Sequence, residues 1–306
     1  MIRYIIRRAL QSLVVLFIVT VCAFLLMRLA PGNPTILLLP DEASEEQVKA
    51  LESSLGFDQP LYKQFWNYFR GLLRLDFGKS IIYRQPVIEI ISTRIPNTVK
   101  LAVASIIVGC LMAIPLGIVA GSRRGSAVDL FCMLFAFLGQ SMSGMWLGVL
   151  LIFIFSVNLG WLPAMGIGGI EHMILPVLTL GYPMAAALTR VARSGIVDTL
   201  SEDYITASYA KGISSFQIYT KYALRNAMIP VVTMLGLTLG SQLAGAVVTE
   251  TVFGWPGMGQ LLTQSVATRD YPVVQSLLLI SAFAIAVVNF VVDIINSIID
   301  PRLSLD

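Results

Sequence analysis

The sequence predicts an all-α integral membrane protein with six transmembrane helices and a small extracytoplasmic domain between the first two. Three observations lead to this fold class: the composition, the length of the apolar runs, and the distribution of Lys and Arg around those runs. Of the 306 residues, 56% are hydrophobic and 13% are charged, and the mean hydropathy is +0.79. Soluble domains carry about 25% charged residues. This chain therefore lacks the polar surface that a soluble fold of its length needs.

Six runs are long and apolar enough to cross the hydrocarbon core of a membrane, which takes about 20 helical residues. The predicted spans cover approximately residues 9–29, 97–121, 127–157, 173–193, 228–249 and 273–299. The first span follows Arg3, Arg7 and Arg8, as the apolar part of a signal peptide would. Its apolar run is longer than a signal peptide has, so we interpret it as a retained anchor.

The basic residues of the short loops predict that both termini lie in the cytoplasm, because such loops are enriched in Lys and Arg on that side. With the N-terminus inside, the short outer loops 158–172 and 250–272 contain one basic residue, Arg269. The cytoplasmic segments contain eleven, namely Arg3, Arg7, Arg8, Arg123, Arg124, Arg190, Arg193, Lys211, Lys221, Arg225 and Arg302.

Residues 31–95, between the first and second spans, are predicted to form the small extracytoplasmic domain. The segment is itself basic, but long loops cross the membrane regardless of charge. Ser44 precedes acidic residues as at a helix start, and apolar residues at helical spacing occupy 61–75. This domain would either cover the outer mouth of a pathway or dock a partner. The chain is thus divided into 1–30, 31–95 and a core of 96–300.

Several classes of function are disfavoured by the residues present. A net charge of +3 with no cluster is too little for a nucleic-acid surface. Cys22, Cys110 and Cys132 are far apart and His172 is the only histidine, so we predict neither a metal site nor redox chemistry. The motif G-x-x-x-x-G-K-[ST] is absent, so the chain is not expected to hold nucleotide phosphates. We predict no catalytic residues and no cofactor bound by this chain.

The predicted spans lack the deep ionisable residues that pumps and secondary carriers use. Asp129, Asp293, Arg190 and Arg193 all fall near cytoplasmic ends, which disfavours the alternative of a stand-alone channel or secondary carrier. The polar residues at mid-depth are the candidate lining of a solute pathway. They are Gln140, Ser141 and Ser143 in the third span and Thr238, Ser241 and Gln242 in the fifth.

Glycines four residues apart predict close packing of helix backbones. The pairs are Gly117 with Gly121, Gly144 with Gly148, and Gly236 with Gly240.

An intramembrane serine hydrolase is another alternative, with Ser141 as nucleophile and His172 as general base. His172 lies at the outer start of the fourth span, where an isolated polar residue is common. A lone histidine and a Gly/Ser run are weak support for a catalytic pair, so this hypothesis is disfavoured.

The cytoplasmic loop of residues 196–227, between the fourth and fifth spans, gives the strongest functional signal. Ser201 is predicted to cap a helix with acidic residues in its first turn, and Gly212 to end it in the left-handed conformation. Ser214 and Gln217 form a capping-box pattern that opens a second short helix. Ala207, small and near the bend, would leave a surface that a groove of another protein can contact.

This loop resembles the coupling loop of ABC importer permeases, written E-A-A-x-x-x-G with a downstream proline. Here Thr206-Ala207-Ser208-Tyr209-Ala210-Lys211-Gly212 replaces the glutamate by threonine and the second alanine by serine. That variant, followed by L-R-N-A-x-x-P, is typical of the peptide and nickel subfamily. The tail is matched by residues 224–230, although Tyr222 stands where a histidine is frequent.

Further segments resemble the same subfamily over nearly the whole chain. They are residues 55–61, 75–78, 162–165, 253–259, 269–272 and 300–301. Two positions depart from its pattern, since Asn33 replaces a usual aspartate and Ser143 stands where a proline often kinks the third span.

The resemblance implies the type I ABC importer permease architecture and a bacterial inner-membrane location. It also implies a homologous second permease, two ABC ATPases that hold ATP and Mg, and an extracytoplasmic solute-binding protein. The ATPase-coupling residues would be Asp203, Thr206, Ala207, Ser208, Lys211, Gly212, Arg225 and Asn226. The implied cargo is small peptides or glutathione-like compounds, with a nickel or metal chelate as the alternative. Peptides are favoured because the candidate pathway offers hydroxyls and amides rather than metal ligands.

Overall fold

The structure is a computed structural model that describes residues 2–29, 44, 46, 47, 53 and 58–299. Within these residues it is helical apart from turns, and their one β-pairing is an isolated bridge between Lys79 and Pro86. The helices are α1 Ile2–Leu29, α2 Leu61–Leu73, α3 Val87–Ser122, α4 Ala127–Ser141, α5 Gly144–Leu151, α6 Glu171–Leu200, α7 Asp203–Ala210, α8 Leu224–Val252, α9 Met258–Ala267 and α10 Tyr271–Ile299. Two π-wound turns adjoin them, Ile152–Asn158 after α5 and Ile218–Ala223 before α8.

Four of the described helices, α1, α3, α6 and α10, are long and apolar enough to cross a membrane. The third predicted span is wrong as a continuous helix, because α4 and the helix of residues 144–158 meet at a bend of 107°. Counted as one span, this bent pair is a fifth candidate. The fifth predicted span, 228–249, lies inside α8, which is not among these candidates.

The bend has a local cause at Met142 and Ser143. Both have extended backbone torsions, and the Ser143 hydroxyl accepts a hydrogen bond of 3.2 Å from the Trp146 N–H. A serine that bonds to the third residue of the next helix is an N-cap, which starts a new helix. The apolar run of the sequence therefore continues through Met142 and Ser143, although the helix is interrupted there.

The packed centre of the described chain is the contact between α3 and α6. In the apolar window of α6, 67% of the residues are buried, against 17% in α1. A Cβ atom added to Gly117 would lie 2.5 Å from Ala192 Cβ, and one added to Gly121 would lie 2.7 Å from Ile196 Cβ. The predicted close packing is thus confirmed for this pair. It is wrong for Gly144, where an added Cβ would meet nothing within 4 Å.

α4 is attached to α6 by an ion pair between Asp129 and Arg193. The guanidinium donates from Nε to Oδ1 at 2.5 Å and from a terminal nitrogen to Oδ2 at 2.7 Å. The Asp129 carboxylate is 5% exposed and also accepts the Gly125 N–H. A two-point contact of this kind fixes both the distance and the orientation of the helices.

Within the predicted extracytoplasmic segment, α2 packs against α1 through aromatic rings. Phe65 meets Phe24 with ring centroids 5.3 Å apart, and Phe69 meets Phe17 at 6.1 Å. Part of the segment therefore lies beside a predicted span rather than apart from it. The helix start predicted at Ser44 is confirmed, because Ser44 and Gln47 exchange the two hydrogen bonds of a capping box.

A buried carboxylate holds the predicted outer ends of three helices together. Glu250, at the end of α8, is fully buried and accepts from the Thr98 hydroxyl at 2.6 Å and the Gly259 N–H at 2.6 Å. It thereby joins α3, α8 and the first turn of α9. Beside it, the Trp255 indole N–H donates to the Asn97 carbonyl at 3.1 Å.

Candidate functional site

The cytoplasmic loop contains the predicted bend at Gly212, with a φ of +77°. α7 ends there, with the Gly212 N–H bonded to the Tyr209 carbonyl at 2.9 Å. This left-handed backbone is the conformation that glycine adopts at no steric cost. The prediction of a glycine-terminated helix is confirmed.

The start of α7 differs from the prediction. Glu202, not Ser201, is the cap residue, and no side chain bonds to the first turn. The Ser201 hydroxyl instead donates to the Asp198 carbonyl at 2.6 Å, at the end of α6. Helix α6 extends to Leu200, and Ser201 is its C-cap residue. The Ser201 hydroxyl therefore bonds to a carbonyl of the preceding helix rather than to the first turn of α7.

The exposed side of α7 and the turn that follows it contain most of the predicted coupling residues. Asp203, Thr206, Ala207, Lys211 and Gly212 are all exposed. Ser208 is buried and donates its hydroxyl to the Tyr204 carbonyl at 2.8 Å. A groove approaching this helix would therefore meet Thr206 and Ala207 but not Ser208.

The second short helix of the prediction is the beginning of a longer one. Ser214 caps the turn Ser215–Gln217, and the Gln217 N–H donates to its hydroxyl at 3.4 Å. The backbone then continues through the π-wound turn Ile218–Ala223 into α8 without leaving helical torsions. Hydrogen bonding with Tyr209, together with burial, raises the pKa of Tyr219. This bond connects α7 to the π-wound turn.

Arg225 and Asn226 lie in the first turn of α8. Their side chains, like that of Ser241, fall outside the described part of the structure.

A cavity of about 410 Å³ lies between the bend of α4 and α5, the middle of α6, and α8. Among the predicted pathway residues, Ser143, Thr238 and Gln242 line it, and their neighbours there include Met142, Met145, Thr179, Met184 and Thr249. None of the described lining residues is charged. Residues of the third and fifth predicted spans thus meet at one cavity.

Hydrogen bonds fix the polar groups of this cavity. The Gln242 amide nitrogen lies 3.3 Å from the Leu180 carbonyl and 3.2 Å from Met184 Sδ. The Thr238 hydroxyl donates to the Met234 carbonyl at 3.0 Å. The surface offered to a solute is therefore neutral, with hydroxyls and thioethers around a restrained amide.

Two of the predicted pathway residues do not line the cavity. Gln140 and Ser141 are exposed on α4, and the Ser141 hydroxyl donates to the Phe137 carbonyl at 2.9 Å. His172 Nδ1 lies 3.5 Å from a carboxylate oxygen of Glu171. Among the described residues no hydrogen bond joins Ser141 to His172, so the geometry gives the hydrolase hypothesis no support.

Sequence reasoning missed Met142, Met145, Met184, Thr179 and Thr249 as cavity residues. Methionine and threonine are common in apolar spans, so their identities carried no signal. The break at Ser143 places two of these methionines at the cavity, and the serine followed by glycine was the one available sign of it.

Two family models match the chain. The model of the binding-protein-dependent transport system inner membrane component matches residues 113–305, and that of the N-terminal membrane component of the same systems matches residues 1–102. The chain is 43% identical over 303 residues to the glutathione transport system permease protein GsiC of Escherichia coli strain K12, covering 99% of both proteins. The protein of that name from Shigella flexneri serotype 5b is 42% identical with the same coverage.

Solved structures share the fold. The inward-facing MetNI methionine ABC transporter has a TM-score of 0.59 at 18% identity, covering 70% of this chain and 97% of that one. An amino acid ABC transporter crystallised with histidines has a TM-score of 0.52 at 17% identity, covering 70% and 94%. The family models and the 43% identity to a permease over 99% of both proteins show that the chain belongs to the inner-membrane components of binding-protein-dependent transport systems, as an ABC importer permease of the peptide/nickel family.

Proposed function

We propose that this permease forms one half of a translocation pathway for small peptides or glutathione-like compounds, with a homologous second permease forming the other half. Two separate ABC ATPases, which hold ATP and Mg, drive it from the cytoplasm. An extracytoplasmic solute-binding protein delivers the cargo. This chain contributes no nucleotide site, no metal site and no catalytic residue.

The observation that carries this proposal is the exposed face of α7 beside the left-handed Gly212. Thr206 and Ala207 are exposed and small, whereas Ile205 and Ser208 on the other side of the helix are buried. A short helix with one buried and one free side is suited to enter a groove on an ATPase surface. The remaining candidates at this contact are Asp203, Lys211, Arg225 and Asn226.

A continuous helical stretch of the chain connects this contact to the cavity. The π-wound turn leads from the loop into α8, and α8 carries Thr238 and Gln242 to the cavity lining. Closure of the ATPases would displace α7 and, through α8, change access to the cavity. Rigid helices that shift between two packed arrangements are a common basis of such transitions.

The proposed topology has six spans, with the bent α4–α5 pair and α8 as the third and fifth. Both termini and α7 are cytoplasmic, and residues 31–95 enter from the outer side, where α2 packs against α1. The distribution of basic residues supports this orientation.

The cavity favours peptide-like cargo. Its hydroxyls and its amide can bond to peptide groups, and its methionines are flexible enough to accept different side chains. The relatives of highest identity described above are named as glutathione permeases, which supports a small thiol peptide. A nickel or other metal chelate remains the second candidate, because the subfamily includes such importers.

The first test is purification of the chain with its co-expressed operon partners in mild detergent. We expect two ATPases and a second permease to co-purify, and Gly212→Asp to release the ATPases. Gly125→Asp is the matched control, because Gly125 also has a φ of +77° in a predicted cytoplasmic turn with nothing near its Cβ position. Equal retention of the ATPases by both variants would contradict the coupling role of the loop.

Cargo is tested by uptake of labelled glutathione, a labelled tripeptide and nickel in cells expressing the whole system. Uptake of the peptides, with no competition from nickel, is the expected result. Uptake of nickel alone would replace the peptide assignment by the metal-chelate one.

A further inference from the structure

Two turns at the predicted outer face are joined to each other by a buried carboxylate. We call them together the outer rim: the turn of residues 79–86, which precedes α3, and the turn of residues 268–270, which precedes α10. The first is closed by hydrogen bonds from the Ser80 N–H to the Gln85 carbonyl at 2.9 Å and from the Arg84 N–H to the Ser80 carbonyl at 3.1 Å.

Asp270 is the residue that joins them. It is fully buried, and its carboxylate accepts from the Ser80 hydroxyl and from the backbone N–H groups of Ile81 at 3.1 Å and Ile82 at 3.4 Å. The Ser80 hydroxyl in turn accepts the Tyr83 N–H at 2.8 Å. Hydrogen bonds to a buried carboxylate are strong, so the turn of residues 79–86 is held in one conformation.

The backbone of the rim is strained at two arginines. In the described residues, three non-glycine residues have a positive φ: Leu75 at 59°, Arg84 at 55° and Arg269 at 55°. Two of the three lie in the rim, and Leu75 lies just before it. Such residues cost free energy and persist where the surroundings hold them, which occurs most often at functional surfaces.

The rim is also cationic. Lys79 and Arg84 are exposed and Arg269 is partly exposed, and no described carboxylate forms an ion pair with any of the three. The only carboxylate within the two turns is Asp270, which is buried. Between the cations, Tyr83 is 47% exposed and Ile82 is 39% exposed.

We propose that the outer rim is a docking surface for the solute-binding protein, and that the complementary face of that protein is acidic. This inference rests on the proposed function, since it requires the rim to face outwards. Tyr and Arg are the residues that most often dominate binding at interfaces, and here both stand on a turn that is already fixed before binding. Free cations around them steer an acidic partner and raise its rate of association.

The test uses the complete complex in lipid nanodiscs together with the binding protein that supports its cargo uptake. The measurement is the concentration of binding protein that half-maximally stimulates ATP hydrolysis. For Lys79→Glu with Arg84→Glu, that concentration should rise by about tenfold or more. High salt should weaken the wild type and affect the double variant less.

Two controls isolate the charge of the rim. Arg84→Lys keeps the charge and should behave as the wild type. Arg74→Glu reverses an exposed charge in the same outer segment but outside the rim, and should change the half-maximal concentration by less than about twofold. An equal effect of Arg74→Glu and of the double variant would overturn the proposal, since bulk charge would then suffice.

A second measurement identifies the partner directly. The photoreactive residue p-benzoylphenylalanine at position 83 should cross-link to the binding protein, and more when cargo is present. Cross-linking to the second permease alone would overturn the proposal. If instead the wild-type complex contained no ATPase, the proposed function would fail, which this assay shows before any rim variant is compared.

Discussion

The two ends of this permease are held by different interactions. At the predicted cytoplasmic end, α7 buries only Ile205 and Ser208, and no side chain caps its first turn. At the predicted outer end, Glu250 and Asp270 are fully buried and each accepts at least three hydrogen bonds. A buried, fully bonded carboxylate gives a single arrangement, whereas a short helix with two buried residues can shift. Under the proposed function, the comparison favours movement that enters at α7. The contacts of Glu250 and Asp270, which we call the outer joint, would then keep their geometry.

The largest effect is expected from a charge on the free side of α7. Ala207→Glu should lower cargo uptake by on the order of 100-fold, because a charged side chain would have to be buried in the ATPase groove. Uptake in cells is the measurement, with the amount of permease in the membrane measured in parallel. Arg123→Glu, an exposed change in another predicted cytoplasmic turn, should leave uptake within about twofold. Normal uptake by the Ala207→Glu variant would show that α7 does not form the contact with the ATPase.

Next in size is the loss of a buried carboxylate at the outer joint. Glu250→Ala should lower the free energy of unfolding by about 3 kcal/mol, since the Thr98 hydroxyl and two N–H groups lose their acceptor. Denaturant unfolding of the purified chain in detergent measures this. Glu171→Ala, which removes an exposed carboxylate, should cost less than about 0.5 kcal/mol. Similar losses in the two variants would mean that the outer joint is no more firmly held than the surface.

The ion pair between Asp129 and Arg193 tests whether the cytoplasmic side contains a firmly held contact besides the loosely held α7. Asp129→Asn should cost about 2 kcal/mol, because it removes a charge partner from a nearly buried pair. A double-mutant cycle with Arg193→Ala should give a coupling free energy above about 1 kcal/mol. Additive effects would show that α4 is not attached to α6 through this pair. If the coupling has the expected size, α4 and α6 are fixed to each other at the cytoplasmic side. α7 is then the part of that side that can move.

The smallest effect is expected at the hydrogen bond between Tyr209 and Tyr219. Tyr209→Phe removes that bond and should cost about 1 kcal/mol or less. The expected consequence is faster hydrogen exchange in residues 203–212, with no change in α3 or α6. Tyr62→Phe, which changes a tyrosine of α2 that is 76% exposed, serves as the comparison for loss of a tyrosine hydroxyl. Unchanged exchange after Tyr209→Phe would mean that burial alone holds α7.

Local patterns in the sequence predicted those elements whose causes are local. The apolar runs gave α1, α3, α6 and α10, and Gly212 marked the end of α7. The bend at Met142 was missed because hydropathy continues through it, while the determining event is one hydrogen bond to the Ser143 hydroxyl. No local pattern could show that Glu250 meets Thr98, or that Asp270 meets Ser80, because these pairs are 152 and 190 residues apart. Three of the six predicted pathway residues, Ser143, Thr238 and Gln242, line the cavity. The other lining residues could not be predicted, because the position of the cavity depends on how distant helices cross.

The π-wound turn Ile218–Ala223 sets the rotation of α8 relative to α7, and with it the direction in which the cavity residues of α8 point. Each residue of an α-helix turns the chain by about 100°, and a π turn accommodates an extra residue within a helix. If this turn were wound as an α-helix with the same number of residues, the extra residue would therefore rotate all of α8 by about a quarter of a revolution relative to α7. Thr238 and Gln242 would then leave the cavity while the loop kept its shape. The winding of this turn therefore determines which side of α8 faces the cavity.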